Sequence, residues 1–509
     1  MRWNPNSSKH IGQIIFLVLV ALWILPRILS FLQPFWLADD FTMWDLKIRS
    51  VFSGSAQNGR LMDIPFILLY KLFPPPDNAM GSVIMRGLQG LLHIATAFLL
   101  WQSIRSRFGT WRSLVVVIPF LTWAFNCEAT IWIGATIYPA GTFFSVLGVY
   151  LIRRQQGGSH PWLAVMGAVS LAAAVHTTQA SATLGISLFC LLVMLDLLPD
   201  DDGRVQNPIR RLAVQGLWIG GGYLAGGALS YWLMEVLECQ RQAEEFSWAG
   251  NTMLLLKFIQ RLWTLDGFYS LFFQYYLYLL AAVAAGLALV AAFRRRLRWH
   301  HLLIMAVAWA GLSLAPFTAN FLSGKPQIAM RVLYSGAITW TGLIAIGYIA
   351  TGRSRRLTAT VSVLGLAFFL LNMVPAWRET EDFCKTFRND LKVLADLESY
   401  SEEVGTKYVL FVDYNHVYIT ITDPYGYNYP YRGGQKFSIL QHPSWNYRFL
   451  LYYSDKLDVY PHFATEDEFL NSWNVLMDKY RDVAQSLGRD RFMQFQYVEP
   501  DNLILVVPR

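Results

Sequence analysis

IGQIIFLVLVALWILPRILSFL (residues 11–32), followed directly by QPFWLADDFTMWD (residues 33–45), decides how this chain is read. The first stretch is apolar throughout except for Gln13, Arg27 and Ser30, and is long enough to cross a hydrocarbon core of about 30 Å. It is too long for a removable signal segment, and no small-residue cleavage site follows it, so it reads as a retained anchor. The second stretch places an acidic pair, Asp39-Asp40, just beyond the end of that anchor. Carboxylates are costly to hold near lipid, so a pair at the mouth of a membrane segment marks a candidate site.

The same apolar signature recurs along the chain. Residues 84–103, 113–127, 133–152, 161–176, 180–197, 212–236, 270–292, 301–320, 332–350 and 357–376 repeat it, which predicts about 11 spans in all. Residues 63–73 are apolar but short, and read as a re-entrant, interfacial or tilted piece. Composition agrees: 54% of the 509 residues are hydrophobic and 15% charged, against roughly 25% charged in soluble domains. The expected class is a polytopic α-helical membrane protein.

Basic residues set the orientation. Arg105/Arg107/Arg112, Arg153/Arg154, Arg204/Arg210/Arg211, Arg294/Arg295/Arg296/Arg298 and Arg353/Arg355/Arg356 all fall on the side of the amino terminus, which carries Arg2 and Lys9. Short loops rich in Lys and Arg stay in the cytoplasm, so one topology satisfies every cluster. The net charge of +7 then reflects topology and gives no reason to expect a nucleic-acid partner. The acidic run Asp200-Asp201-Asp202 falls in a cytoplasmic loop beside Arg204 and reads as solvated.

This topology puts Asp39-Asp40 outside, together with everything after residue 376. Two domains are expected: a membrane part over residues 1–376 and an outer domain over residues 377–509. In the second, charges return and long apolar runs stop. Residues 381–400 have helical periodicity, residues 407–413 look like a buried strand, and residues 502–507 look like a closing one. About 130 residues can hold their own core, so a small α/β or α+β domain is expected there. Tyr414 to Tyr431, with Trp445, forms an aromatic loop suited either to stacking on sugar rings or to packing on the membrane part. Of the four cysteines, Cys127, Cys239 and Cys384 fall on or near the outer side and Cys190 within a span. Their spacings match no metal site, and buried free thiols are the simplest reading.

The outer face limits the chemistry. No nucleoside triphosphate is available there and no Gly-rich phosphate loop is present, so an enzyme at this surface must draw its activated substrate from the lipid. A polyprenyl-phosphate sugar meets that need. Transfer from it requires a carboxylate to take the acceptor's proton and cations to stabilise the departing phosphate. Asp39 and Asp40 are the candidate bases; the alternative is a helix N-cap before residues 41–53. Arg60, Arg331, Lys325, Lys47 and Arg86 are the candidate phosphate-binding cations, because arginine grips phosphate with two donors. Snorkelling and lipid headgroup contact are the bland alternatives for Arg60 and Arg331; for Arg86, just inside a span, snorkelling stands against a functional or pairing role. His176, Gln179, Glu128 and Trp44 are candidate sugar contacts. Against these stand interhelical hydrogen bonds for His176 and Gln179, a surface acid for Glu128 and an interfacial aromatic belt for Trp44.

Leu37-Ala-Asp-Asp-Phe41, Asn58-Gly-Arg60 ahead of an apolar segment, His176-Thr-Thr-Gln179, about 11 spans and an outer carboxyl-terminal domain together resemble the GT-C glycosyltransferases. Among these the chain is most similar to the bacterial O-antigen-modifying glucosyltransferases of the serotype-conversion type. His176-Thr-Thr-Gln179 departs from the aromatic-Gln pair expected there. The resemblance implies a glycosyltransferase in the bacterial inner membrane, with the amino terminus cytoplasmic and the carboxyl-terminal domain periplasmic. It implies an inverting single displacement onto a surface glycan such as lipopolysaccharide. Either Asp39 or Asp40 would be the base, with Asp40 preferred. Relatives work without metal or with a divalent cation, so the cofactor stays open. Three other readings are weighed: the same chemistry on a surface protein such as a pilin, an O-antigen polymerase or ligase, and a non-enzymatic glycolipid flippase or transporter.

Overall fold

The computed structural model describes residues 5–32, 48–72, 79–122, 133–155, 160–197, 209–237, 248–253, 299–321, 336–351, 354–411, 453–459 and 493–508, together with Thr130, Val475, Lys479, Tyr480 and Asp482. The helices named here are α1 (Pro5–Ile24), α2 (Ile28–Leu32), α3 (Ile48–Gln57), α4 (Asp63–Lys71), α5 (Ala79–Thr122), α6 (Ile137–Arg154), α7 (Pro161–Thr177), α8 (Gln179–Leu197), α9 (Ile209–Val236), α10 (Trp299–Phe321), α11 (Ala337–Thr351) and α12 (Arg355–Val404). Among the described residues, four helical stretches are long and apolar enough to cross a membrane by length and composition: Ile11–Leu32, Met80–Thr122, Gln179–Leu197 and Arg355–Val374. Pro161–Thr177, Leu303–Leu312 and Ala337–Ile349 are shorter apolar helices. The span expected over residues 270–292 lies outside the described residues. A single 3-10 turn at Leu25–Arg27 joins α1 to α2, with Pro26 in its first positions.

Helix α5 is a hairpin. Gly109, at φ 70° and ψ −178°, interrupts it in a conformation that a side chain would resist. His93 Nε2 lies 3.0 Å from the carbonyl of Leu121, and its ring stacks on Phe120 at 5.1 Å. A straight helix would separate residues 28 apart by about 42 Å, so the two arms run back along each other. Trp101 Nε1 closes the bend by donating to Ser113 Oγ at 2.9 Å. The reversal falls between the two segments expected at 84–103 and 113–127, within the basic cluster Arg105/Arg107/Arg112.

The centre of the bundle is built from small residues. α7 packs between α6 and α9. A Cβ on Gly148 would stand 2.7 Å from the carbonyl oxygen of Gly167, and one on Gly222 would stand 2.8 Å from that of Ala168. Backbones this close are the usual way helices associate where no hydrophobic force drives them together. At one end of the bundle Arg153 Nη1 donates to Asp196 Oδ2 at 2.5 Å and to Gln215 Oε1 at 3.3 Å, tying α6, α8 and α9. Cys190 and Cys384 are free.

Helix α12 runs for 50 residues, about 75 Å. It carries the span expected at 357–376 straight into the helix expected at 381–400, through Pro375 and without a break at residue 377. It starts at Ser354, whose hydroxyl accepts from the N–H of Leu357, and Ser401 Oγ near its end donates to the carbonyl of Thr406. Four strands follow: β1 (Tyr408–Phe411), β2 (Asp458–Val459), β3 (Met493–Val498) and β4 (Leu503–Pro508), in the order β2-β1-β4-β3. β1 is parallel to β2 and β4, and β3 is antiparallel to β4. Val409, Leu410 and Leu503–Val506 are fully buried, as apolar runs in central strands should be.

Candidate active site

The site is built on a turn between two short helices. α3 ends at Gln57, and Gly59 follows at φ 66°. Gly59 N–H donates to Ala56 O at 2.9 Å and Arg60 N–H to Ser55 O at 2.8 Å. These two bonds close a helix end that turns the chain sharply, and they favour glycine at the left-handed position. Asn58 Nδ2 caps the same end on Gly54 O at 2.7 Å. Asp63 N–H then donates to Arg60 O at 3.0 Å and α4 begins. With an acid at its start, α4 has the charge its dipole favours.

Two other helices grip this turn. The carbonyl of Gly59 accepts from His176 Nδ1 at 2.9 Å and from Ser230 Oγ at 3.2 Å. Met62 N–H donates to the carbonyl of His176 at 3.1 Å. The end of α7 and the last third of α9 therefore hold one peptide of the turn between them. A Cβ on Gly59 would fall 2.0 Å from Ser230 Oγ, so the docking requires glycine by contact as well as by φ.

Three buried polar atoms are left over around this turn. Since Nδ1 of His176 donates to a carbonyl, Nε2 carries the lone pair; it has no hydrogen-bond partner among the described residues. Arg60 is half-buried and its Nε is likewise unpartnered, as is Oδ1 of Asp63, which is 7% exposed. Burial pushes the Asp63 carboxyl up from its ordinary value to about 7, and the positive charge of Arg60 opposes that shift. Buried polar atoms are nearly always paired. An open cation and acid on the turn, with an open basic nitrogen on the helix docked against it, make this a candidate site for a polar ligand.

The expected site residues fall into three groups. Arg60 and His176 are brought together through Gly59. Gln179 opens α8, half-buried, just past Thr178, whose extended backbone (φ −160°, ψ 129°) separates α8 from α7. Arg86 is fully buried, and its Nη1 donates to Ser30 O at 3.1 Å and to Ser82 Oγ. Those contacts tie α2 to α5. Asp39, Asp40, Trp44, Lys47, Glu128, Lys325 and Arg331 lie outside the described residues. Among the described residues no group of three or more His, Cys, Asp or Glu is placed to hold a metal ion. Asp63 and Ser230 were not expected. Asp63 reads in sequence as an ordinary acid opening a helix, and Ser230 as one small residue in a Gly- and Ala-rich span.

No curated protein and no solved structure matches the chain. The model of one family, glucosyl transferase GtrII, matches residues 68–340. The matched stretch takes in His176, Gln179 and Ser230 and begins just after the Gly59–Asp63 turn. It covers more than half of the chain, and this protein belongs to the glucosyl transferase GtrII family.

Proposed function

We propose that this protein transfers a glucosyl unit from a polyprenyl-phosphate donor to a surface glycan, at the periplasmic face of the bacterial inner membrane. The family supplies the reaction class and the sugar. The donor is inferred from the chemistry of that face, where no nucleotide sugar is available and lipid-linked sugars are. The observation that carries the reading is the docked turn: Arg60 stands with an open Nε on a peptide clamped by His176 and Ser230. A guanidinium held this way suits the phosphate that leaves when the glycosidic bond breaks.

In the proposed reaction the acceptor hydroxyl attacks the anomeric carbon from the face opposite the phosphate. The C–O bond to phosphate breaks, its electron pair stays on the phosphate, and configuration inverts. One of Asp39 and Asp40 takes the hydroxyl proton; the other orients the acceptor or caps the following helix. Arg60, with Arg331, Lys325 and Lys47, holds the departing phosphate. His176, Gln179, Glu128 and Trp44 line the sugar. Arg86 serves packing.

Purified protein given radiolabelled polyprenyl-phosphate glucose and a membrane acceptor extract tests this. Wild type should transfer label, and Asp39→Asn or Asp40→Asn should remove transfer while donor still binds. Equal transfer by both variants would leave the pair as a cap and overturn its assignment as base.

A further inference from the structure

The proposed reaction leaves Asp63 without a task, yet its placement calls for one. Asp63 and Arg60 share one turn, and Arg60 is the charge that acts on Asp63. Arg60 Nε and Asp63 Oδ1 each lack a partner among the described residues, although neither side chain is freely solvated. A buried carboxyl group that neither pairs with its neighbouring cation nor finds another hydrogen bond is an expensive arrangement. It leaves Arg60 open to an outside anion, and it puts a second, competing negative charge beside that anion whenever Asp63 is ionised.

We infer that Asp63 is a positioning residue acting through Arg60: the donor phosphate binds with Asp63 protonated, and loss of that proton weakens the grip. This rests on the reading of Arg60 as the phosphate site. With Asp63 neutral the turn carries the single positive charge of Arg60. With Asp63 ionised the turn is neutral overall, and an entering phosphate meets a like charge in a poorly solvated place. Above the free-state value of Asp63, binding therefore takes up about one proton from water onto its carboxylate, and below it none. The carboxyl already titrates at about 7 before any anion arrives, pushed there by burial.

Other titratable groups are few around it. α7 presents His176, which is bound to Gly59 O through Nδ1. α9, packed on the turn through Ser230, carries Tyr223, Tyr231 and Glu235, with Arg210 and Arg211 in its first turn. Tyr223 is bonded to Ser145 and to Ala182 O. α4 itself carries Tyr70, which is buried, and Lys71 in its last turn. On α3 the charged residue is Arg49, whose side chain lies outside the described residues.

The sign follows from linkage. A group that gains a proton on binding makes affinity fall as pH rises above its free-state value and leaves affinity flat below it. Calorimetry of the full-length protein in lipid nanodiscs, with polyprenyl-phosphate glucose as the probe because a phosphodiester has no titrating proton of its own in this window, reads this between about pH 6 and about pH 8.5. Wild type should bind with constant affinity below about pH 7, weaken by about tenfold per pH unit above it, and take up about one proton in buffers of different ionisation enthalpy. Asp63→Asn should bind independently of pH with no proton uptake, and Asp63→Glu should restore both. A wild-type slope and proton uptake in Asp63→Asn would overturn the role of Asp63. Unchanged binding in Arg60→Ala would instead overturn the reading of Arg60, so the two failures are distinct.

Discussion

At the scale of single residues the site depends on what Gly59 lacks. Its carbonyl takes two hydrogen bonds from two different helices, and its missing side chain lets Ser230 sit where a Cβ would be. Gly59→Ala must push Ser230 away and also hold alanine at φ 66°, at a cost of roughly 1 kcal/mol for the backbone alone. Transfer should fall at least about tenfold, since a displacement near 1 Å in a positioning element has large effects on rate. Ser230→Gly in the same chain should restore part of the loss, and kcat and KM of wild type, the two single variants and the double variant would show it. No rescue, or no loss to begin with, would separate the turn from the activity. Asn58-Gly-Arg60 was legible in the sequence as a turn with a cation, and His176 as a polar residue at a span end. That the two touch was not legible, because the contact joins residues 117 apart through a backbone carbonyl, which no side-chain pattern records. The burial that singles out Asp63 is equally a property of the fold.

At the scale of elements, the apolar periodicity located the helices well, because a segment facing lipid must satisfy every backbone group within itself. Residues 161–176, 180–197 and 212–236 fall within helices α7, α8 and α9. Joins were harder. The bend inside α5 comes at one glycine, Gly109, and α12 runs unbroken through Pro375 where the return of charges suggested a boundary. Charge reports where water begins and not where a helix stops. β3, with its alternating Met-Gln-Phe-Gln-Tyr-Val, carries a strand signal that the two more continuous apolar strands overshadowed. The close approach of α7 to its neighbours gives a direct test. A side chain at Gly148 meets the carbonyl of Gly167, whereas one at Gly221 meets nothing within 4 Å. Gly148→Val should lower the thermal midpoint of the detergent-solubilised protein, by an overpacking penalty of about 1–3 kcal/mol. Gly221→Ala should leave the midpoint unchanged. Equal effects of the two would remove close backbone packing as the basis of the α6–α7 contact.

At the scale of the whole molecule, the chain is an apolar helical bundle with one long helix, α12, leading to a small sheet. Short helix α3 and the Gly59–Asp63 turn lie ahead of the matched family region, α4 runs into its start, and α7 and α9, which clamp the turn, lie inside it. The proposed donor site thus joins the start of the chain to the family's own helices, and activity should need both. The measurement that tests this most directly is label transfer from polyprenyl-phosphate glucose by wild type and by Arg60→Ala, at matched protein folding. Loss of one preorganised cation at a developing charge should lower turnover by about a hundredfold or more. Wild-type turnover in Arg60→Ala would contradict the account, since the clamped turn would then hold its arginine for some purpose other than the departing phosphate.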